Sequence, residues 1–155
     1  MAAGGPAART PLTAVIAYLD SSVVLRIVLR EPSALPDWQR IETGVTSELT
    51  RVECHRTLER LFLHGVLDEA EFLAKRDEIA KILERVTVVP LDALILAEAS
   101  GRLNVPLRTL DSLHFVTAVA VRRQQPADEL PLTFATHDQQ LALAARALGF
   151  AVAGA

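Results

Sequence analysis

The sequence contains one cysteine, Cys54, and only two lysines, Lys75 and Lys81. A single cysteine excludes a disulfide within the chain and is typical of a reducing compartment. The net charge is only -3. This argues against a strongly basic nucleic-acid-binding protein and against an acidic disordered tail. Almost all positive charge is arginine, whose guanidinium group suits bidentate contact with phosphate or carboxylate. We therefore expect any contact with nucleic acid to be a local patch.

Long hydrophobic runs are also missing. No apolar run reaches the roughly 18 residues of a membrane span, because charged residues interrupt the candidates, so we expect a soluble protein with no membrane contact. The apolar run that follows the alanine- and glycine-rich start ends at Asp20 without a small-residue cleavage site, which favours a strand over a secretory signal. We expect a flexible tail over residues 1–10 and a single domain over residues 11–155, a length that can bury a real core.

Several motifs of well-known enzymes are absent. The glycines at 44, 65, 101 and 149 are scattered singly, so the sequence has neither a P-loop nor a G-x-G-x-x-G segment. It has no G-x-S-x-G elbow, and Cys54-His55 has no second pair of metal ligands at finger spacing. These absences argue against nucleotide-binding enzymes of those kinds, serine hydrolases and structural zinc sites.

What the sequence does contain is an alternation of strands and helices. Short apolar segments predict strands at 15–19, 86–90 and 132–136, a last edge strand at 151–152, and a brief segment at 44–46 that is too short to assign. Periodic apolar residues and N-cap signals predict helices at 23–29, 47–64, 68–84, 92–100, 110–123 and 138–148, with a short helix at 37–42. This order predicts an α/β fold with right-handed crossovers and a mostly parallel sheet of four or five strands covered by helices.

Four acidic residues stand where chemistry is expected. Asp20 and Asp138 directly follow predicted strands, Asp111 opens a helix, and Glu53 lies four residues after Leu49 on an apolar helix face. Carboxylates that converge at one sheet edge repel one another and raise each other's pKa unless a cation lies among them. Oxygen ligands of this kind select Mg²⁺ or Mn²⁺.

Each acid also has a purely structural explanation. Asp20 and Asp138 can cap the helices that follow them, and Asp111 can be a first-turn charge favoured by the helix dipole. His114 lies three residues after Asp111 on one helix face, where a histidine that is part of the core, or that supports a neighbouring ligand, is more common than a metal ligand.

Glu53 has both a structural explanation and a competitor. An ion pair with Arg56 or Arg26 can account for an acid on the face that Leu49 and Val52 are expected to bury. Glu48 lies five residues earlier, about 140° around the helix, so the two glutamates cannot point to one place.

Four segments resemble the PIN domain in the form found in VapC toxins: YLDSS (18–22), TSELTRVE (46–53), LRTLDSLH (107–114) and THD (136–138). The resemblance covers nearly the whole chain from about residue 15 and implies a PIN-like three-layer sandwich. It also implies a metal-dependent endoribonuclease that an antitoxin encoded beside it holds inactive. Carried over by position, the resemblance assigns an acidic quartet that is both catalytic and metal-binding, with two supporting hydroxyl residues: Asp20, Glu53, Asp111 and Asp138, with Ser22 and Thr136.

The resemblance also implies a metal cofactor and partners for this chain. In such an enzyme one or two Mg²⁺ (or Mn²⁺) ions activate a water for in-line attack on a phosphodiester. Candidate phosphate contacts are Arg26, Arg56 and Arg108. The implied substrate is single-stranded or looped RNA, with tRNA or another structured RNA among the candidates. The resemblance further implies that a VapB-like antitoxin binds the apolar helical hairpin at 47–84. It also implies a homodimer and a cytoplasmic location.

Two other classes of function compete with the nuclease. A non-catalytic PIN-like protein- or RNA-interaction module would keep the acids as caps and ion pairs, and a metal titration separates it from an enzyme. A Mg²⁺-dependent phosphotransfer domain would use Asp20 at a strand end. It would also want a lysine after a late strand or an acid at position 22, where Ser22 stands.

Overall fold

The computed structural model describes residues 15–36 and 38–155. In this part of the chain the strands are β1 (Val15–Leu19), β2 (Ile41–Ser47), β3 (Thr87–Val89), β4 (Thr133–Ala135) and β5 (Ala151–Ala153). They form one sheet in the order β3-β2-β1-β4-β5, and every neighbouring pair is parallel. The predicted α/β fold with a parallel sheet is confirmed.

Six α-helices accompany the sheet in the same residues: α1 (Ser21–Val28), α2 (Glu48–Leu63), α3 (Glu69–Glu84), α4 (Ala93–Ala99), α5 (Thr109–Gln124) and α6 (Gln139–Ala147). Two of the predicted N-terminal signals are present. The Ser47 side chain accepts a hydrogen bond from the Leu49 N–H, and Asp68 with Glu71 forms a reciprocal capping box. Across 15–36 and 38–155, none of the helices combines the length and the apolar character that crossing a membrane requires.

The region before α2 differs from its prediction. A helix was expected at 37–42, but the structure has a short 3-10 helix, Trp38–Arg40, and then enters β2. Position 37 and the expected tail at 1–10 lie outside the described residues. The segment is a strand because its first part pairs with β1 and its last three residues pair with β3. The strand also passes close to Val86, because a Cβ on Gly44 would come within 2.7 Å of Val86 Cγ1. Such long-range packing leaves no local signal in the sequence.

The sheet separates two helical layers, as a three-layer sandwich requires. Side chains alternate along a strand, so Tyr18 and Phe134 pack with α5 and α6, while Leu19 and Ala135 pack against α1 on the opposite face. Helices α2 and α3 extend that second layer and bury a cluster with α1. Each face of the sheet is therefore covered, which suits a fully parallel sheet.

The strand order contains a reversal that matters for function. From β1 the chain adds β2 and β3 on one side, and then crosses to place β4 and β5 on the other side. The crossovers on either side of β1 carry their helices to opposite faces, so a crevice opens at the carboxyl ends of β1 and β4. Open α/β sheets bind ligands at such a topological switch point.

A matched pair of leucines on α2 tests this arrangement of the core. Leu58 is fully buried among Val24, Val28 and Ile79, whereas the Leu63 side chain is 72% exposed. We expect Leu58→Ala to lower the free energy of unfolding by about 2–5 kcal/mol and Leu63→Ala to change it by less than about 0.5 kcal/mol. Urea unfolding followed by circular dichroism measures both. Equal losses in the two variants would contradict the assigned packing of α2.

Candidate functional site

Asp20 lies at the switch point, directly after β1, and is buried with 5% exposure. It occupies the N-cap position of α1, yet its side chain makes no capping hydrogen bond. Its Oδ2 instead accepts hydrogen bonds from the Ser22 hydroxyl at 2.6 Å and the Thr136 hydroxyl at 2.9 Å. The interpretation of Asp20 as a simple helix cap is therefore wrong.

The two hydroxyls that hold Asp20 are themselves oriented by the loop after β4. The His137 N–H donates to Ser22 Oγ at 3.0 Å, and the Asp138 N–H donates to Thr136 Oγ1 at 3.0 Å. A backbone N–H can only donate, so each hydroxyl accepts from the loop and is free to donate its hydrogen to the carboxylate. The loop after β4 thus fixes the orientation of the carboxylate that follows β1.

Glu53 reaches the same crevice from α2. Its Oε2 lies 2.6 Å from His114 Nε2, and its side chain is 20% exposed. His114 Nε2 also lies 3.4 Å from Asp20 Oδ1. One ligand atom from each of Asp20, Glu53 and His114 falls within 4.8 Å of the others. Two members of the predicted quartet therefore meet, joined by a histidine.

Glu48 and Glu53 point to different places on α2, as expected, but Val52 was wrongly predicted to lie on the buried face. Leu49 is buried, whereas Val52 is 56% exposed. With 3.6 residues per turn, Glu53 lies about 40° to one side of Leu49 and Val52 about 60° to the other. Glu48 is exposed in the first turn, where its Oε2 accepts from the Leu91 N–H at 3.4 Å.

Asp111 and Asp138 are joined by an arginine. Arg108 Nε lies 3.0 Å from Asp111 Oδ2, and Arg108 Nη2 lies 3.3 Å from Asp138 Oδ2. The other oxygen of Asp138 accepts from the Leu141 N–H at 2.8 Å, so the predicted N-cap of α6 exists together with the Arg108 contact. Arg108 itself is 79% exposed.

The other two arginines that were candidates for phosphate contact make their ion pairs elsewhere. Arg26 lies 3.5 Å from Glu31, and Arg56 pairs with Glu59 one turn along α2. The prediction that Glu53 forms an ion pair with Arg56 or Arg26 is therefore wrong. His114 takes that role.

The pKa of Asp111 is raised above its usual value. Burial raises it most, and the charges of Asp138 and Asp20 raise it further, which together outweigh the lowering by Arg108. This is the response expected where carboxylates share a site without a strong counter-charge. The oxygen-rich donor set fits a hard divalent cation such as Mg²⁺ or Mn²⁺.

His114 and Tyr18 are the site residues that sequence reasoning did not assign. His114 is 1% exposed, and its Nδ1 lies 2.8 Å from the Tyr18 hydroxyl. Burial lowers the pKa of His114, but the Glu53 hydrogen bond and the charges of Asp20, Glu53 and Asp111 raise it by more. The only available signal was the spacing of three residues from Asp111, which puts both side chains on one face of α5.

Comparison with known proteins places these residues in a family. The PIN domain family model matches residues 17–146. Ribonuclease VapC35 of Mycobacterium tuberculosis (strain CDC 1551 / Oshkosh) is 31% identical over 141 residues, which cover 87% of this chain and 93% of the relative. Ribonuclease VapC46 of strain ATCC 25618 / H37Rv is 34% identical over 138 residues, covering 87% and 94%, and ribonuclease VapC47 of strain CDC 1551 / Oshkosh is 27% identical over 143 residues, covering 88% and 94%. The chain belongs to the PIN domain family.

Proposed function

We propose that this chain is a metal-dependent endoribonuclease that acts as the toxin of a toxin–antitoxin pair. The observation that carries the proposal is the meeting of Asp20 and Glu53 at the topological switch point, with ligand atoms within 4.8 Å, beside the acidic pair that Arg108 joins. The relatives named as ribonucleases, which align over nearly the whole chain, support the same activity.

In this proposal Asp20, Glu53, Asp111 and Asp138 hold one or two Mg²⁺ or Mn²⁺ ions. The bound ion supplies a water of lowered pKa and charge stabilisation for the leaving oxygen of the phosphodiester. The residues of the chain supply the geometry, because Ser22 and Thr136 donate to Asp20 and leave its Oδ1 directed toward Glu53 and His114. Since activated water is the nucleophile, no covalent intermediate with the protein is required.

Arginines on the rim are proposed to bind the RNA phosphates. Arg108 is exposed and already lies beside two of the acids, so its guanidinium can pass from carboxylate to phosphate by turning a flexible side chain. Arg26 and Arg56 are proposed as more distant phosphate contacts. Each would first have to break its ion pair, Arg26 with Glu31 and Arg56 with Glu59. The proposed substrate is single-stranded or looped RNA, including loops of structured RNA such as tRNA, because unstacked segments reach a crevice that a duplex cannot enter.

Incubation of the purified protein with total RNA and with tRNA tests the activity. We expect discrete products in Mn²⁺ or Mg²⁺ and no cleavage in EDTA, because the carboxylates need the metal to activate water. Gel analysis of the RNA provides the readout, and Glu53→Gln protein purified in parallel controls for contaminating nuclease.

Two outcomes would go against the nuclease. Equal cleavage in EDTA would point to contamination or to metal-free chemistry. No cleavage together with no Mn²⁺ binding at millimolar concentration in a calorimetric titration would favour the non-catalytic interaction module.

Glu53 and Glu48, both on α2, provide a matched pair of variants for the site. We expect Glu53→Gln to reduce metal-dependent cleavage by at least about a hundredfold, the upper range for losing even an outer-sphere partner of a metal. Its unfolding midpoint should stay or rise, because one of the repelling carboxylates becomes neutral. Glu48→Gln, the same change on an exposed side chain, should keep the activity and cost at most about 1 kcal/mol. An inactive Glu48→Gln beside an active Glu53→Gln would move the site to Glu48.

The helical hairpin of α2 and α3 is proposed as the surface for a VapB-like antitoxin. Part of the apolar surface of this hairpin belongs to the core, since Leu67 is buried and Phe62 stacks on Phe72 at 4.9 Å. Leu63, Val66 and Leu73 remain exposed: 72%, 63% and 57%. Such neighbouring apolar side chains are suited to cover by a partner segment. A homodimer and a cytoplasmic location belong to the same proposal.

Expression of the chain alone tests the partner. We expect induction to arrest growth, the inactive Glu53→Gln variant to relieve the arrest, and light scattering of that variant to give the mass of a dimer. The physical reason is that free enzyme cleaves cellular RNA unless a partner covers the site. A harmless wild-type chain that is monomeric in solution would remove the basis for both antitoxin and dimer.

A further inference from the structure

Three side chains form a buried hydrogen-bonded line from the sheet to the acids. The Tyr18 hydroxyl lies 2.8 Å from His114 Nδ1, and His114 Nε2 lies 2.6 Å from Glu53 Oε2. Tyr18 has no exposed surface, and His114 has 1%. Tyr18 belongs to β1, directly before Leu19 and Asp20, so the line begins on the same rigid strand that carries Asp20.

The direction of these hydrogen bonds follows from the chemistry of the end groups. An ionised carboxylate has only acceptor oxygens, so His114 Nε2 must carry the hydrogen in its bond to Glu53. At Nδ1 the ring is joined to the Tyr18 hydroxyl in either state: a neutral ring accepts there from the Tyr18 O–H, and a protonated ring donates there to the Tyr18 oxygen. A ring nitrogen that carries a hydrogen has no lone pair for a metal. The closeness of His114 to Asp20 and Glu53 therefore does not make it a ligand in this arrangement.

Glu53 needs such a donor more than Asp20 does. Asp20 has a short side chain after a strand end and accepts from three hydroxyls, those of Ser22 and Thr136 at Oδ2 and that of Ser21 at Oδ1, 3.4 Å away. Glu53 has a longer side chain with an additional rotatable bond, and it approaches a second carboxylate that repels it. The His114 N–H lies 2.6 Å from Glu53 and 3.4 Å from Asp20, so one donor offsets the repulsion between the two acids and fixes the direction of Glu53.

We infer that His114 is a positioning residue, and not a metal ligand, which holds the Glu53 carboxylate at the distance from Asp20 that a divalent cation requires. Tyr18 fixes the ring of His114 through Nδ1. The inference rests on the proposed metal-dependent function and goes beyond the acidic quartet. It means that the spacing of two ligands is set by protein hydrogen bonds before the ion arrives, a form of preorganisation.

Mn²⁺ affinity of the full chain, measured by calorimetry, tests the inference in four variants. We expect His114→Leu to weaken Mn²⁺ binding by about ten- to a hundredfold and Tyr18→Phe, which removes only the hydroxyl, by about tenfold. His114→Gln keeps an N–H donor of similar reach and should recover most of the affinity. His64→Leu, on an exposed histidine, should bind as the wild type does. Unfolding midpoints and circular dichroism show which variants are folded.

Pulsed electron paramagnetic resonance of Mn²⁺ bound to the wild-type chain adds a readout that needs no substitution. With ¹⁵N-labelled histidine, we expect no coupling of the size given by a directly coordinated imidazole nitrogen. Such a coupling would overturn the inference even if His114→Leu does not fold. Unchanged Mn²⁺ affinity in folded His114→Leu and Tyr18→Phe would also overturn it.

These results separate the inference from the proposed function. Metal-dependent RNA cleavage and Mn²⁺ binding by the wild type, with no effect of His114→Leu and Tyr18→Phe, would reject the positioning role and leave the nuclease in place. A wild-type chain that neither binds Mn²⁺ nor cleaves RNA would reject both.

Discussion

Mutual repulsion of carboxylates at one end of the sheet is the constraint on which the site depends. Acids at this separation cannot all stay ionised in a partly buried crevice without compensation. The compensation is local, since Asp20 accepts from three hydroxyls and Glu53 from a histidine N–H, while Asp111 and Asp138 share one guanidinium. The fold tolerates the acids because every one has a donor, although burial and then the charges of Asp138 and Asp20 still raise the pKa of Asp111.

Topology brings these donors together from distant parts of the chain. Leu19 pairs with Ala135 in the sheet, so the residues that follow β1 and β4 emerge side by side. The loop after β4 can therefore orient Ser22 and Thr136 through backbone N–H groups, and both hydroxyls then hold Asp20. On the opposite side of the switch point, α2 begins directly after β2 and carries Glu53 into the crevice. The parallel sheet thus sets the position of the site, and short polar side chains set its geometry.

The sequence predicted the parts of this arrangement that leave local signals. An apolar β-branched run followed by an acid indicated β1 and Asp20, and cap residues indicated the starts of α2, α3 and α6. The course of β2 could not be predicted, because its strand character comes from pairing with β1 and from the close approach of Val86 to Gly44. Val52 was wrongly predicted to be buried, because the apolar character of a residue does not show whether it faces the core or the solvent.

The role of His114 was beyond sequence reasoning for a related reason. Its partners, Tyr18 and Glu53, lie 96 and 61 positions away along the chain, and hydrogen bonds between such distant residues leave no periodic pattern. Because nothing in the sequence indicated this donor, Arg56 and Arg26 were considered as ion-pair partners of Glu53. Arg56 is near it in sequence, and Arg26 lies on a neighbouring helix. In the structure the partner of Glu53 is a histidine N–H on the opposite helical layer rather than an arginine.

The donors divide the site into two unlike halves. Asp20 and Glu53 are held by hydroxyls and an imidazole that are themselves buried or fixed by the backbone, so hydrogen bonds within the protein set the direction of both carboxylates. Asp111 and Asp138 are held by Arg108, whose side chain is 79% exposed, and exposed ion pairs of this kind are weak and readily exchanged. A divalent cation at these acids would displace Arg108 from both, while the Leu141 N–H would still hold the other oxygen of Asp138. In the proposed nuclease the displaced guanidinium would be left at the rim, where an RNA phosphate would take the place of the lost carboxylates.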